Sequence, residues 1–442
     1  MVLQALEGRS DREACRALQS DIAWKAACGL ALTDEAFHPT VLVYWRNRLR
    51  KSSDPERIFN AVRTVIAETG VIAGKHRRVL DSTVLDDAVQ RQDTITMLAA
   101  QIRRVRRLVP ELAAVWVREH NLEGGRPPCD WDDRADIDRV VSELVDDANT
   151  LVDAVGALDL SDAQADAVAL LALVAGQDVE PGDGPGKWQI ARRTAPDRVI
   201  STVDPEARHI HKTQHSYRDG FKAHLAAEPD TGLITATRIT PGNVGDAAAA
   251  PDLITDEPAG TEVLGDSAYG SGEFRDHIEG RGMTAVIKPP PLTTAVPDGF
   301  TIDDFHIDEP AGQVTCPAGV TVKIRKSRSA VFGENCKTCP LRNRCTKARK
   351  GRVITLNPHH QHLTNARQQA QTTEFQTIYR QHRPMIERTI AWFVRGPNRK
   401  VRYRGLDRNR IWLAHRAAAV NLTRLLNLGL THQPAGWTIT GT

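Results

Sequence analysis

The hydrophobic positions of this chain change period twice, from helical to strand-like and back. Over the first 70 residues Ile22, Trp24, Ala27, Cys28 and Leu30 recur at helical spacing. After a His38-Pro39 break, Val41, Leu42, Trp45 and Leu49 do the same. A short β signal follows, His76 to Thr83. Two longer helical stripes come next: Leu98, Ile102, Val105, Val109, Leu112, and then Ile137, Val141, Leu144, Ala148, Leu151, Val155, Leu158. They leave Arg103, Arg104, Arg106 and Arg107 on the outside. Pro181-Gly182-Asp183-Gly184-Pro185-Gly186 reads as a linker. Its Gly182, Gly186 and Lys187 are one residue short of a phosphate loop, and Trp188 stands where a magnesium-binding hydroxyl belongs, so an NTP site is rejected.

From Val199 the period becomes two. Val199 to Val203, Phe221 to Leu225 and Leu233 to Thr237 read as strands, with Asp230-Thr231-Gly232 turning the last pair. Asp246 can cap an Ala-rich helix. Glu262 to Asp266 is another strand, and one more runs through 283–288. A cysteine-bearing segment precedes a helical C-terminus from about Asn365 to Gly429. The order suits a mixed α/β sheet rather than a sandwich or barrel. It divides the chain into a helical N-terminal domain (1–75), the first core strand (76–85), a helical insertion (86–180), the core continued (181–290), a basic Cys-containing insertion (291–360), a C-terminal helical part of the core (361–430) and a tail (431–442).

Composition narrows the partners. The chain has 442 residues, 41% hydrophobic and 26% charged, as expected of a globular protein of two or three units. No apolar run reaches the roughly 18 residues of a membrane helix, and the N-terminus lacks a signal-peptide core. A cytoplasmic protein is expected. The net charge is only +3, yet Cys316 to Arg404 holds 20 Lys or Arg against Glu334, Glu374 and Glu387. That surplus predicts a polyanion partner, with nucleic acid the commonest; a solvated surface is the alternative. Arg395, Arg399, Lys400, Arg402 and Arg404 are candidate phosphate contacts.

Metal-assisted phosphodiester chemistry needs two or three carboxylates held at strand ends or on one helix face. Asp81 closes Arg78-Val79-Leu80-Asp81-Ser82-Thr83. Asp266 closes a strand and opens Gly265-Asp266-Ser267-Ala268-Tyr269-Gly270. Glu387 lies in Arg383-Pro384-Met385-Ile386-Glu387-Arg388, in a helix that Pro384 is placed to begin. Each alone reads equally as a cap, a turn or, for Glu387 with Arg383, a helix ion pair. Asp204 is the rival for the first acid. Cys316, Cys336, Cys339 and Cys345 could close a structural zinc site, although the five-residue gap before Cys345 is wide. The alternative is a set of reduced thiols. His359, His360 and His362 could replace a ligand, and His209 and His211 could approach metal or DNA. Trp392 and Phe393 read as core.

These motifs in this order resemble a DDE transposase of bacterial insertion sequences, in the group of insertion sequences 4 and 5 and most like the insertion sequence 1182 family. Asp81-Ser82-Thr83 resembles the family's first acid, and Gly220-Phe221-Lys222-Ala223-His224 its G-[YF]-K-x-H strand. Thr240-Pro241-Gly242-Asn243 with Asp246 resembles its turn before a helix, Gly265 to Gly270 its D-x-x-Y, and Ile386-Glu387-Arg388 its final Glu motif. The Y-x2-R-x3-E-x6-K signature is partly kept: Tyr379 is one residue early and Val394 replaces Lys. Asp21 to Arg50 resembles the family's helical leader, entered abruptly, so an upstream piece is expected.

The resemblance implies an RNase H-like core in which Asp81, Asp266 and Glu387 hold two Mg²⁺ ions, with Mn²⁺ able to substitute. It further implies cleavage of double-stranded element ends (terminal inverted repeats) and strand transfer to target DNA. Lys222 and Arg383 would join the DNA contacts, in a homodimeric, nucleoid-associated complex. A non-catalytic DNA-binding remnant and an RNase H-like nuclease without strand joining are the alternatives.

Overall fold

The computed structural model describes residues 1–119, 124–156, 158–213 and 216–440, with the side chains of 211–213 and 216 also outside the description. Five helices lead: α1 (Val2–Glu7), α2 (Asp11–Ser20), α3 (Ile22–Ala27), α4 (Thr40–Arg50) and α5 (Arg57–Thr69). Strand β1 (Arg77–Asp86) is followed by α6 (Thr94–Leu108), α7 (Arg134–Val155) and α8 (Asp162–Gln177). A small hairpin, β2 (Val179–Pro181) and β3 (Trp188–Ile190), precedes β4 (Arg208–Thr213), β5 (Ser216–Ala227) and β6 (Ile234–Pro241). Then come α9 (Asp246–Leu253), β7 (Glu262–Gly265), α10 (Gly272–Gly280) and β8 (Thr284–Ile287).

The central sheet runs β5-β1-β7-β8, with both β4 and β6 hydrogen-bonded along the other edge of the long strand β5. Strand β1 is antiparallel to β5 and parallel to β7, and β7 is parallel to β8. Side-chain alternation sorts β1 into two faces. Val79 and Leu85 join the core under α5, α13 (Thr373–Phe393) and α14 (Leu406–Asn427), whereas Leu80 joins the core under α9 and α10. Helices therefore cover both faces. Gly220, with φ of +142°, is obligatory where β5 passes from β4 to β6: a Cβ there would meet Leu85 O at 2.2 Å.

The helical insertion closes its own apolar core, in which Leu98, Ile102, Leu144, Leu151 and Leu171 are fully buried. Two of its arginines are not simply outside. Arg106 donates to the carbonyls of Leu112, Ala113 and Val115, which the break at Pro110 leaves to satisfy, and Arg103 donates to Gly125 O in the loop before α7.

The Cys-containing segment folds as short strands β9 (His306–Asp308), β10 (Gln313–Thr315), β11 (Thr321–Lys323), β12 (Ser329–Val331) and β13 (Val353–Thr355), with α11 (Arg342–Cys345) between the last two. Phe305, Val314, Phe332 and Ile354 form its own small core. Helix α12 (His360–Ala370) leads from it into α13.

Three expectations need correction. Residues 199–203 form no strand: Val199 makes a single bridge to Arg208, and Val199 and Ile200 are buried in irregular backbone. Pro384 lies inside α13 rather than at its start. Burial of Phe375 and His382 before it, and of Ile386, Thr389 and Phe393 after it, carries the helix past the missing N–H. Residues 430–439 are not a tail but a hairpin, β14 (Leu430–Gln433) with β15 (Gly436–Ile439), whose Leu430 and Ile439 pack on the main core.

Candidate active site

Asp81 and Asp266 arrive side by side because β1 and β7 are parallel neighbours. Val79 pairs with Leu264, so two residues further along each chain the two acids sit at equivalent positions. Alternation turns Asp81 toward α13, the face that holds Val79 and Leu85. There Arg383 meets both acids. Its Nη2 lies 2.9 Å from Asp81 Oδ2 and 3.9 Å from Asp266 Oδ2, so those two oxygens are within the sum of these distances. Each acid spends its other oxygen on backbone: Asp81 Oδ1 accepts from Ser82 N at 2.8 Å, and Asp266 Oδ1 from Ala268 N at 2.9 Å.

Burial decides the electrostatics. Asp81 is 14% exposed and Asp266 is 42% exposed. Desolvation pushes the Asp81 carboxyl above its usual range, against the pull of Arg383 and the Ser82 N–H, and the nearby Asp266 carboxylate adds to the rise. Arg383 itself is buried, and its Nε and Nη1 have no hydrogen-bond partner among the described residues. A pair of hard oxygen donors, one of them poorly solvated, suits a divalent cation such as Mg²⁺.

Glu387 stands one helical turn beyond Arg383 on the same side of α13. It is exposed and, among the described residues, makes no hydrogen bond or ion pair, so Arg383 pairs across to the strands rather than along the helix. Tyr379 lies one turn before Arg383. A three- or a four-residue step keeps it on this stripe, so its one-residue displacement leaves the face intact. Tyr379 stacks on Phe375, and Lys288, just past β8, holds its ammonium 4.6 Å from the Tyr379 ring centre.

Behind Asp81, on the opposite face of the sheet, lies a second polar cluster, which gathers Ser82, Lys222 and His224 around Asp246, the first residue of α9 rather than its cap. Asp246 accepts from Ser82 Oγ at 3.0 Å and from Lys222 Nζ at 3.1 Å; Lys222 also donates to Val244 O at 2.9 Å. His224 is fully buried beside Asp246, bonded to Thr240 Oγ1 at 2.9 Å, and burial drives its imidazole well below the usual range. Tyr269 is buried in the α9–α10 core, and desolvation raises its phenol. The Lys222–His224 strand motif and the turn from Thr240 to Asp246 are the local signals for this cluster, but nothing local joins them.

Several expected DNA contacts are spent inside the protein. Lys222 is tied to Asp246, and Arg383 lies between the two acids, so neither is a surface phosphate contact. Arg402 donates to Gly8 O, which clasps the segment after α13 to α1. Arg395, Arg399, Lys400 and Arg404 are exposed and without ion pairs among the described residues. Arg404 opens onto a cleft of about 680 Å³ that Arg91, Arg103 and Arg126 also line.

Asp204 is buried, and its carboxylate accepts from Gly405 N at 3.1 Å, at the start of α14. His209 pairs with Asp219 and stacks on Tyr217, while the side chain of His211 lies outside the described residues. Phe393 is fully buried and Trp392 packs against the core.

All seven cysteines are free. Cys316, Cys336, Cys339 and Cys345 line one narrow pocket. The Cys345 thiol is raised by burial first, opposed by Arg352 and reinforced by the other three sulfurs. Cys336 Sγ accepts from Arg352 N at 3.4 Å. The four sulfurs share this pocket, but no three of them lie within 4.8 Å of one another, wider than the roughly 3.8 Å that sulfurs around one tetrahedral zinc require, so the structure does not display a closed four-thiolate site.

A family model described as a transposase DDE domain matches residues 315–426, and one described as a transposase domain (DUF772) matches residues 1–48. Both support a DDE transposase of insertion-sequence type, a nuclease-type enzyme with DNA as its substrate. The first match contains Arg383, Glu387 and the four clustered cysteines; Asp81 and Asp266 lie outside both. No curated protein and no solved structure matches the chain. Among the described residues no helix is long and apolar enough to cross a membrane.

Proposed function

We propose that this chain is a DNA transposase that cuts double-stranded DNA at the ends of its own element and joins them to target DNA. The observation that carries the reading is Asp81 beside Asp266, at neighbouring strand positions, under a helix bearing Arg383 and Glu387. The strand directions support an RNase H-like core. In order of use, β1, β5 and β6 form an antiparallel run, and β7 and β8 lie parallel on the far side of β1. The order of the motifs along the chain supports the insertion sequence 1182 family within that class.

Asp81, Asp266 and Glu387 would hold two Mg²⁺ ions, which supply activation of water or a DNA 3′-hydroxyl and stabilise the leaving oxygen. The chain's own groups prepare that site. Arg383 neutralises the paired acids and fixes their carboxylate planes, and the Ser82–Asp246–Lys222 chain stiffens β1 from behind. Lys288 and Tyr379 border the acids with a cation and an aromatic face suited to the DNA backbone. Arg395, Arg399, Lys400 and Arg404 would grip phosphates beyond the cut. Two copies are expected to pair the two element ends, on DNA in the cytoplasm.

A strand-joining assay on element-end DNA with Mg²⁺ tests the reading. Asp266→Asn and Glu387→Gln should abolish cleavage and joining while leaving DNA affinity within about threefold, since phosphate contacts supply most of the binding. Hydrolysis without joining would make the protein a nuclease. Cleavage by Glu387→Gln at the wild-type rate would remove Glu387 from the site.

A further inference from the structure

Helices α10 and α12 meet outside the acid site, at a joint crowded with metal-ligand chemistry. Among the described residues, the one group of three or more His, Cys, Asp or Glu with ligand atoms all within 4.8 Å of one another is Asp276, His359 and His362. Asp276 and Glu279 stand one turn apart on α10. His359 and His362 stand at the first turn of α12.

His362 carries the argument. Its Nε2 lies 3.2 Å from Asp276 Oδ1, and its Nδ1 lies 3.2 Å from Glu279 Oε2. A neutral imidazole can donate from only one nitrogen, so one carboxylate would face a lone pair unless a positive centre intervenes. A divalent cation supplies that centre. With Nδ1–H donating to Glu279, Nε2 is left free as a ligand, the usual arrangement of a carboxylate orienting a metal-bound histidine. His359 Nδ1 completes the set, 4.0 Å from Asp276 Oδ2. Donors about 2.0–2.2 Å from one ion stand roughly 3–4 Å apart, which these separations match.

The joint is also built to hold this geometry. Asn357 Oδ1 accepts from His359 N at 2.8 Å, and a Cβ on Gly272 would meet the His359 Cβ at 2.6 Å, so α12 seats against the first residue of α10. A cleft of about 660 Å³ beside it, lined also by His306, leaves room for water ligands; Asp81, Asp266, Arg383 and Glu387 do not line it.

The geometry points to a divalent-metal site in which His359, His362 and Asp276 are ligands and Glu279 orients His362. It takes a borderline first-row ion such as Zn²⁺ rather than Mg²⁺, because two of its donors are imidazoles. Its place in the fold makes its role structural. The bound ion pins onto the core the segment that leaves the cysteine-bearing insert and leads into the Arg383–Glu387 helix.

The test is Co²⁺ titration of the full chain, followed by absorption. Wild type should show nitrogen–oxygen d–d bands that persist when Cys345→Ser removes any thiolate-to-metal charge transfer arising at the cysteine cluster. His359→Ala/His362→Ala and the shape-preserving Asp276→Asn should each weaken this binding at least tenfold. Glu279→Gln should weaken it about tenfold, the scale of lost outer-shell partners. Bound metal should also slow amide exchange in 272–280 and 359–370. Co²⁺ uptake unaffected by Asp276→Asn, or a spectrum carried wholly by thiolates and abolished by Cys345→Ser, would overturn the proposal.

Discussion

Replacing Arg383 with Gln removes the cation lying between Asp81 and Asp266. The Arg383 side chain is 8% exposed and Asp81 14%, so the pair is close to a buried ion pair, whose one-sided loss costs about 3–5 kcal/mol. Two features lower that figure. Arg383 Nε and Nη1 are already unpartnered, and relieving each desolvated donor returns about 1 kcal/mol. Asp81, already raised by burial, can also take up a proton. The net expectation is a loss of about 1–3 kcal/mol in metal-free urea unfolding at neutral pH.

The same variant tests the ligand assignment. Without Arg383 the two acids lose their competitor for a cation, so Mg²⁺ should stabilise Arg383→Gln more than wild type. At ten times the dissociation constant the gain is about 1.4 kcal/mol. Arg383→Gln/Asp266→Asn should lose most of it. If Mg²⁺ shifts the single and the double variant equally, the paired acids are not where the ion binds.

Two further outcomes follow from the charges. Arg395→Ala/Arg399→Ala/Arg404→Ala should lower the slope of log K against log [salt] by two to three, at about 0.9 per phosphate contact, and equally on element-end and random DNA; an unchanged slope returns these residues to a solvated surface. Asp87 is raised to about 6 by burial first and the Asp219 carboxylate second. Its folded value exceeds its unfolded one, so its stabilising contribution is full below about pH 4 and lost as pH rises through about 6. Wild type should therefore gain about 1–2 kcal/mol over Asp87→Asn between pH 7.5 and pH 4.5 in urea melts, and a constant difference would refute the shift.

What the sequence displayed was whatever is local. The stripes of α6 and α7, the β5–β6 turn and the acid at the end of β7 repeat or punctuate over a few residues, and those readings match the structure. The local β signal fades at Thr83, though the first core strand is expected to end at 85, one residue short of Asp86; Leu85 owes its burial to β5, more than 130 residues away. Lys222, Arg383 and Arg402 read as free positive charge. Their partners, Asp246, Asp81 with Asp266, and Gly8 O, lie 24 to 394 residues distant, and no periodicity reports such pairings. Pro384 misled in the opposite sense: a strong local signal gave way to tertiary burial on both sides of it.

The placement of β1 dictates when its acid can meet the others during synthesis. The strand bearing Asp81 leaves the ribosome early, but its hydrogen-bonding neighbours β5 and β7 follow only after the whole helical insertion, which can close its own core while β1 waits. The helix carrying Arg383 and Glu387 comes later still. Such distant pairings form slowly, and domains tend to fold as units in order of emergence. A nascent chain tethered to its message therefore holds its acids apart. Asp81, Asp266, Arg383 and Glu387 can first come together only once α13 has emerged, so the complete charged cluster has no earlier form.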